Sequence, residues 1–287
     1  MKKAALKYNA AHLMAARAAR EIKDGETAMI GVGLPLAAGI IAREVHAPSS
    51  MIVFEGGTVG AKSRRMPWSI SDSATSDFAL AAMELWRMLG DLQAGYVDVG
   101  VVGGAQVDRY GNLNSTAIFG QGSYARPKVR MPGSGGANDI ASSCGRTIIM
   151  MRLGSRNFVS GLDYLTSPGY LSGGDARARA NLSGGGPALV VTDRAVFRFD
   201  GQDKEMYLAE IDDPANLEAV RKLVGWPLRV SPELKKMKPP SAKEMEVMHR
   251  LDPLGIVLGT GAELELEDFE KYLGVLERNF PDEPLSR

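Results

Sequence analysis

The residue in this sequence best placed to do chemistry is Glu55. It follows the apolar run 51–54 and is followed by Gly56-Gly57. An acid there stands at the carboxyl end of a buried strand, where open α/β sheets take up their ligands. Paired glycines after it let backbone and substrate come close. Such a carboxylate can attack an electrophilic carbon or accept a proton, or it can be an inert strand-end acid in a salt bridge. Two glycine turns are natural counterparts of a reacting acid. Gly31-Val32-Gly33-Leu34-Pro35 ends one apolar run, and Gly133-Ser134-Gly135-Gly136-Ala137-Asn138-Asp139 precedes a helix-like stretch. Successive backbone N–H groups in such turns point at one spot and can hold an oxyanion, unless the turn only caps a helix. Tyr110-Gly111-Asn112-Leu113-Asn114-Ser115-Thr116 adds the amides of Asn112 and Asn114 and two hydroxyls, enough either to orient a ligand or to build an Asx-turn loop. The basic run Lys62-Ser63-Arg64-Arg65 is a solvated loop or an anion contact.

Other chemistries fit less well. Gly31-x-Gly33 before a helix, trailed by Glu55, imitates a dinucleotide fingerprint, but position 36 is Leu where the third glycine belongs. Pro35 also removes an N–H that pyrophosphate would need. His12, His46 and His249 show no helix-face pairing with acids or with one another in sequence, which argues against zinc. Gly-x-Ser-x-Gly is absent, which disfavours a serine hydrolase.

The elements that must position these residues alternate between strand and helix patterns. Asn9 caps a predicted helix ending near Ile22, stopped by Asp24-Gly25. A strand at 27–32, a helix at 36–45 and a strand at 51–54 make a crossover. A helix is expected over 76–89, with Phe78, Met83, Leu85, Trp86 and Leu89 on one side, then an apolar strand at 97–102. Residues 103–136 are too long and too rich in Gly, Asn, Ser and Pro for a simple connection. Strands return at 147–151, 188–192, 195–199 and 206–210, with a Gly-rich insert at 172–186. The pattern predicts an open, mostly parallel α/β sheet with covering helices over 1–234. A basic Pro-containing linker at 235–240 and helices at 241–251 and 266–280 form a C-terminal helical extension, 235–287, expected to be a surface appendage or an interface element.

Composition narrows the partners. At 287 residues and 45% apolar, the chain is an ordinary packed globule. Lys plus Arg and Asp plus Glu balance at 34 each, so no net field draws nucleic acid or an anionic membrane. A lone Cys144 excludes an internal disulfide and a Cys-rich zinc site, which suits a reducing, cytoplasmic setting. The N-terminal stretch reads as an amphipathic helix, and no run is long enough to span a bilayer.

Four motifs taken in order carry a resemblance. Gly31-Val32-Gly33-Leu34-Pro35, Phe54-Glu55-Gly56-Gly57, Gly103-Gly104-Ala105-Gln106-Val107-Asp108 with 110–116, and Gly133-Ser134-Gly135-Gly136-Ala137-Asn138 resemble family I CoA-transferases, most of all the glutaconate CoA-transferase beta subunit. Asp163-Tyr164-Leu165-Thr166-Ser167-Pro168-Gly169 and Val190-Val191-Thr192-Asp193 extend the similarity over roughly 10–215. The resemblance implies an open α/β subunit paired with a homologous alpha subunit, as α2β2 or larger, with the active site at their junction. It implies coenzyme A as part of an acyl-CoA substrate, a carboxylic acid acceptor, a dicarboxylic one among the options, and no metal. On that pattern Glu55 is the nucleophile that passes through a mixed anhydride to a glutamyl-CoA thioester. Backbone groups of Gly31, Val32, Gly33, Gly135, Gly136 and Ala137, helped by Asn112 and Asn114, are the expected oxyanion and substrate contacts. The chain departs from the pattern at Gly56, where the glutaconate enzymes carry Ser, so a different acyl pocket is expected. The same scaffold also hosts hydrolases and C–C lyases of CoA-thioesters, in which an acid serves as base, and a non-catalytic partner role is a further alternative.

Overall fold

The computed structural model describes residues 7–31 and 33–259, together with Glu267, Glu270, Leu273 and Gly274. The chain opens with helix α1 (Ala10–Ala19), started as expected by Asn9, whose side chain accepts from the His12 N–H at 2.9 Å. The first crossover is strand β1 (Thr27–Ile30), helix α2 (Leu34–Val45) and strand β2 (Met51–Phe54). Short strands β3 (Thr58–Val59) and β4 (Ala81–Ala82), helix α3 (Leu85–Gln93) and strand β5 (Val99–Val102) follow.

The glycine-rich stretch then makes two small hairpins, β6 (Gln106–Val107) with β7 (Leu113–Asn114), and β8 (Ala117–Ile118) with β9 (Val129–Arg130). After helix α4 (Ala137–Ser143) and strand β10 (Arg146–Met150) come α5 (Ala176–Arg179), β11 (Pro187–Val191), β12 (Ala195–Phe199) and β13 (Met206–Ile211). Helix α6 (Leu217–Lys222), strand β14 (Arg229–Lys236) and helix α7 (Ala242–Leu251) follow.

One 10-stranded sheet runs in the order β14-β13-β12-β11-β10-β5-β1-β2-β3-β4. Its middle, from β11 to β2, is parallel throughout, and antiparallel pairs lie outside it. The alternation of strand side chains sorts the core into two layers. Ala28, Ile30, Ile52, Phe54, Val99 and Val101 face α1, α2 and α7, while Met29, Val53, Val102, Ile149 and Val190 face the α3 and α4 side. The chain passes from β1 to β2 on one side and to β5 on the other, so the strand order reverses at β1, where doubly wound sheets open a crevice at the carboxyl ends of their strands.

Three expectations need correction. The helix at 76–89 begins only at Leu85; Phe78 has φ of 50°, and the Met83 N–H donates to the Gly57 carbonyl at 2.9 Å, holding β4 on the sheet edge. The apolar spacing there imitates a buried helix face, yet Phe78, Leu80, Leu85 and Trp86 are exposed. Strand β14, which the sequence does not announce, runs through Lys236, so the expected boundary at 234/235 falls inside it. Helix α7 is no appendage: Met245, Met248 and Leu251 are buried with α1 and α2, and Arg20 pairs with Glu244 at 2.6 Å. Most of the helix expected at 266–280 lies outside the described residues. Finally, His12 and His249, far apart in sequence, meet ring to ring at 6.0 Å. Burial, and next the charge of His249, lower the basicity of His12.

Candidate active site

Glu55 leaves the buried end of β2, one residue beyond Phe54, which is paired in register with Ile30 of β1. Gly31 therefore leaves the neighbouring strand at the same level. The half-buried Glu55 side chain points across to the second glycine turn, 81 residues away in sequence, and its Oε1 accepts the Gly136 N–H at 2.7 Å. Among the described residues nothing donates to Oε2 and no cation pairs with the carboxylate.

The turn is shaped for this contact. A side chain at Gly136 would place its first carbon 2.9 Å from Oε1 and 3.1 Å from Cδ, and one at Gly135 would come within 3.2 Å of Oε1. Gly135 also has φ of 49°, in the left-handed region. The turn is pinned by reciprocal bonds at its base: the Gly133 N–H donates to the Ser115 carbonyl at 3.0 Å, and Ser115 Oγ donates to the Gly133 carbonyl at 2.8 Å. Gly136 is the N-cap of α4, so the carboxylate lies where the partial positive charge of the peptide dipoles favours an anion.

The glycines after the acid let backbone come close, one part of the role expected of them. A first side-chain carbon at Gly56 would lie 2.6 Å from the Ile70 carbonyl oxygen, and one at Gly57, whose φ is 102°, would strike the Met83 carbonyl. Protein backbone fills the space, so the wall beside Glu55 is built by the segments around Ile70 and Met83. This also explains why Gly56 cannot be Ser in the present packing.

The expected oxyanion contacts divide sharply. The Gly31 N–H is engaged with the Val101 carbonyl at 3.1 Å, and the Ala137 N–H with the Ser134 carbonyl at 2.9 Å, so neither is free. Val32 lies outside the described residues. The N–H groups of Gly33 and Gly135 have no acceptor among the described residues. Asn112 and Asn114 do not reach the site with their polar atoms. Asn112 donates to Asp108 and to the Leu171 carbonyl, both at 2.8 Å, and accepts from Gly169 and Leu171. Asn114 is wholly buried and donates to Gln106 and to the Ala117 carbonyl, both at 2.7 Å. These amides knit the 105–171 loops together, a saturated role that residue type alone could not distinguish from ligand binding. Asp108, inside that network, is pushed up in pKa by burial despite the donors from Asn112 and Tyr110.

The basic run divides as well. Arg65 forms a two-pronged pair with Asp72, at 2.7 and 2.5 Å, and lies over the Trp68 ring. Burial would raise the Asp72 carboxyl, but Arg65 and the N–H groups of Trp68 and Ala74 outweigh it and hold it below its usual range. Two positioning residues are not among the candidate site residues expected from the sequence, although Thr166 lies in the 163–169 motif that extends the resemblance. Thr166 Oγ1 accepts the Ser115 N–H at 2.9 Å. Buried Arg177, hidden in the Gly-rich insert, donates to the carbonyls of Gly184, Gly169, Ala141 and Ser142 at 2.7–3.0 Å. It thereby anchors the far end of the helix whose start holds Glu55. No local pattern marks a guanidinium with carbonyl partners. No group of His, Cys, Asp and Glu able to hold a metal exists among the described residues, and no helix among them is long and apolar enough to cross a membrane.

Known proteins share this arrangement of sheet and turns. The coenzyme A transferase family model matches residues 12–223. The B subunit of 3-oxoadipate CoA-transferase from Pseudomonas knackmussii is 36% identical over 248 residues, 85% of this chain and 94% of that one. The B subunit of glutaconate CoA-transferase from Acidaminococcus fermentans is 36% identical over 252 residues, 86% of this chain and 93% of that one. The crystal structure of the Acidaminococcus enzyme superposes with a TM-score of 0.81 at 33% identity, covering 88% of this chain and 98% of its counterpart.

Proposed function

Because the chain belongs to the coenzyme A transferase family, as a subunit of the B type, we propose that Glu55 is the carboxylate through which it moves coenzyme A between acids. The observation that carries this is the contact between Oε1 and the Gly136 N–H. One oxygen is held, and the other has no partner among the described residues, so it is available to attack.

The chemistry follows from that arrangement. Oε2 attacks the thioester carbonyl, the C–S bond breaks, and coenzyme A leaves as a thiolate from an acyl-glutamyl anhydride. The thiolate then attacks Glu55 Cδ, releasing the first acid and leaving a glutamyl thioester. A second carboxylate attacks the same carbon, and the steps run in reverse to give the new acyl-CoA. In every step at Cδ the negative charge collects on Oε1, where Gly136 already donates, so this donor acts as an oxyanion contact for the enzyme's own carbonyl. The N–H groups of Gly33 and Gly135, which have no acceptor among the described residues, are the candidates for the substrate's oxyanion.

Coenzyme A enters as part of the substrate, and the acids named for the two relatives, 3-oxoadipate and glutaconate, make a dicarboxylic acid the leading substrate class. Both relatives are B subunits, which implies a second, different subunit here. Exposed Phe78, Leu80, Leu85 and Trp86, on the segment packed beside Gly57, form the apolar surface on which we place it, next to the reacting carboxylate.

The test is direct. The two-subunit enzyme incubated with acyl-CoA and digested should carry a coenzyme-A-sized mass on the Glu55 peptide, absent in Glu55→Gln. Product formed without an acceptor acid and without that adduct would instead mean that Glu55 serves as a base toward water.

A further inference from the structure

Outside the Glu55 site the most unusual surface is the hairpin of β8 and β9. Its residues from 120 to 130 are exposed, apart from half-buried Pro127. The tip is nevertheless held in one shape. Phe119 accepts the N–H groups of Gly122 and Lys128 at 2.9 and 3.2 Å, Ser123 and Arg126 exchange backbone bonds, and the Phe119 N–H donates to Asp163 at 3.0 Å. Tyr124 stacks on Tyr164 with ring centres 5.5 Å apart, and the Arg130 guanidinium lies over the Tyr124 ring at 4.6 Å.

In a chain whose charges cancel, this arm gathers Arg126, Lys128 and Arg130, and none of them pairs with a carboxylate among the described residues. Between the cations lies an open cavity of about 480 Å³ lined by Phe119, Gly120, Gly122, Arg126 and Lys128. Backbone forms part of its wall, since the Arg126 carbonyl leaves no room for a side chain at Gly122. Organised cations with no carboxylate partner among the described residues, beside stacked rings and a cavity of ligand size, are what an oxyanion carried on a planar group requires.

The arm grows directly out of the catalytic turn, because Met131 and Gly133 donate to the carbonyls of Thr116 and Ser115 at its base. At roughly 3.3 Å per extended residue, Lys128 stands up to about 17 Å from Gly133. We propose that the arm binds a substrate oxyanion remote from the reacting carbon, and that the phosphates of the coenzyme A nucleotide, separated from the thioester by the long pantetheine chain, are its occupant. The free carboxylate of a small dicarboxylic acid shares the chemistry and would reach only the base of the arm, near Arg130. The proposal rests on acyl-CoA being delivered to Glu55.

The test uses the two-subunit enzyme with Arg126→Ala and Lys128→Ala combined. KM for acyl-CoA should rise roughly tenfold or more, with kcat within about twofold, as expected when charge-assisted contacts made equally in ground and transition states are lost. The corresponding acyl-pantetheine ester, lacking the nucleotide, should show the same KM with both enzymes. Added salt should raise the wild-type KM for acyl-CoA more steeply than the variant's. Arg126→Lys with Lys128→Arg should restore most of the affinity. A penalty that appears with dicarboxylic but not monocarboxylic acceptors, with KM for acyl-CoA unchanged, would overturn the nucleotide as the occupant. Unchanged KM for acyl-CoA and for both kinds of acid overturns the proposal, as does a variant that no longer co-purifies with the second subunit. The Glu55 adduct in the wild-type enzyme tests the underlying reading separately, since it must form whether or not the arm binds the nucleotide.

Discussion

Replacing Gly136 by alanine isolates the contact on which the proposed chemistry turns. Gly136 has φ of −80° and ψ of −1°, a conformation alanine adopts without strain. As an N-cap with no side-chain bond, its replacement should cost the fold no more than about 1 kcal/mol. That corresponds to a drop in Tm of about 2–4 °C for a chain of this size class. The added methyl, however, would lie 2.9 Å from Glu55 Oε1, 3.1 Å from Cδ and 3.2 Å from Cγ. Ordinary carbon contacts begin near about 3.5 Å, so the carboxylate must retreat by roughly half an ångström and lose its 2.7 Å bond to the Gly136 N–H. Removing one donor of this kind lowers kcat by about 10²–10³, or about 2.7–4 kcal/mol of transition-state stabilisation. The measurement is steady-state transfer by the two-subunit enzyme alongside its thermal unfolding. Gly133→Ala is the control, because its φ of 99° strains any side chain while nothing lies within 4 Å of the added carbon; it should cost stability and spare kcat. If Gly136→Ala kept kcat within about threefold of wild type, where a lost oxyanion donor predicts roughly a hundredfold or more, the role assigned to this contact would be wrong.

Three further outcomes follow from the same structure. Arg177→Met takes the guanidinium donor from the carbonyls of Ala141, Gly169 and Gly184 and leaves Ser142 only the Gly184 N–H, so urea unfolding should register a loss of about 3–5 kcal/mol; an unchanged midpoint would show that water replaces the guanidinium. Burial, reinforced by the charge of Asp98, pushes the Cys144 thiol from 9.0 up to about 12. Its proton is therefore lost first by the unfolded chain, so this contribution to stability is complete below about pH 9 and falls by up to about 1.4 kcal/mol per pH unit as pH rises toward about 12. Cys144→Ala should remove that part of the slope in urea titrations from about pH 8 to about pH 10.5, and rapid labelling of the native thiol at the lower end of that range would contradict it. Leu80 and Trp86 are 72% and 70% exposed; changing both to Glu should abolish co-purification with the second subunit while leaving the Tm of the isolated chain within about 2 °C, as expected for surface sites, and an intact complex would move the interface elsewhere.

Local chemistry made much of this fold legible. The cap at Asn9 and the strand at 51–54 appear where side-chain type and spacing put them, and the strand expected at 27–32 and helix expected at 36–45 appear as β1 (Thr27–Ile30) and α2 (Leu34–Val45), because caps and alternation depend on neighbours a few residues apart. The same reasoning failed at 76–84, where helical spacing of apolar residues coincides with an edge strand held by Gly57 and Val59. It failed again at β14, which takes in Lys235 and Lys236 from the start of the expected linker at 235–240 because β13 supplies their hydrogen bonds.

The site shows the same division. From sequence alone, a strand-end glutamate and two glycine turns could be singled out as the reactive parts, since each is a local conformational demand. Tertiary structure alone decided which of their groups meet. The sheet order brings Glu55 to Gly136 across 81 residues, and the ladder and turn engage the N–H groups of Gly31 and Ala137. Packing saturates the amides of Asn112 and Asn114 with partners other than the carboxylate. A residue's hydrogen-bonding capacity is written in its type, whereas the partner that uses it is set by which strand ends and loops the folded sheet places side by side.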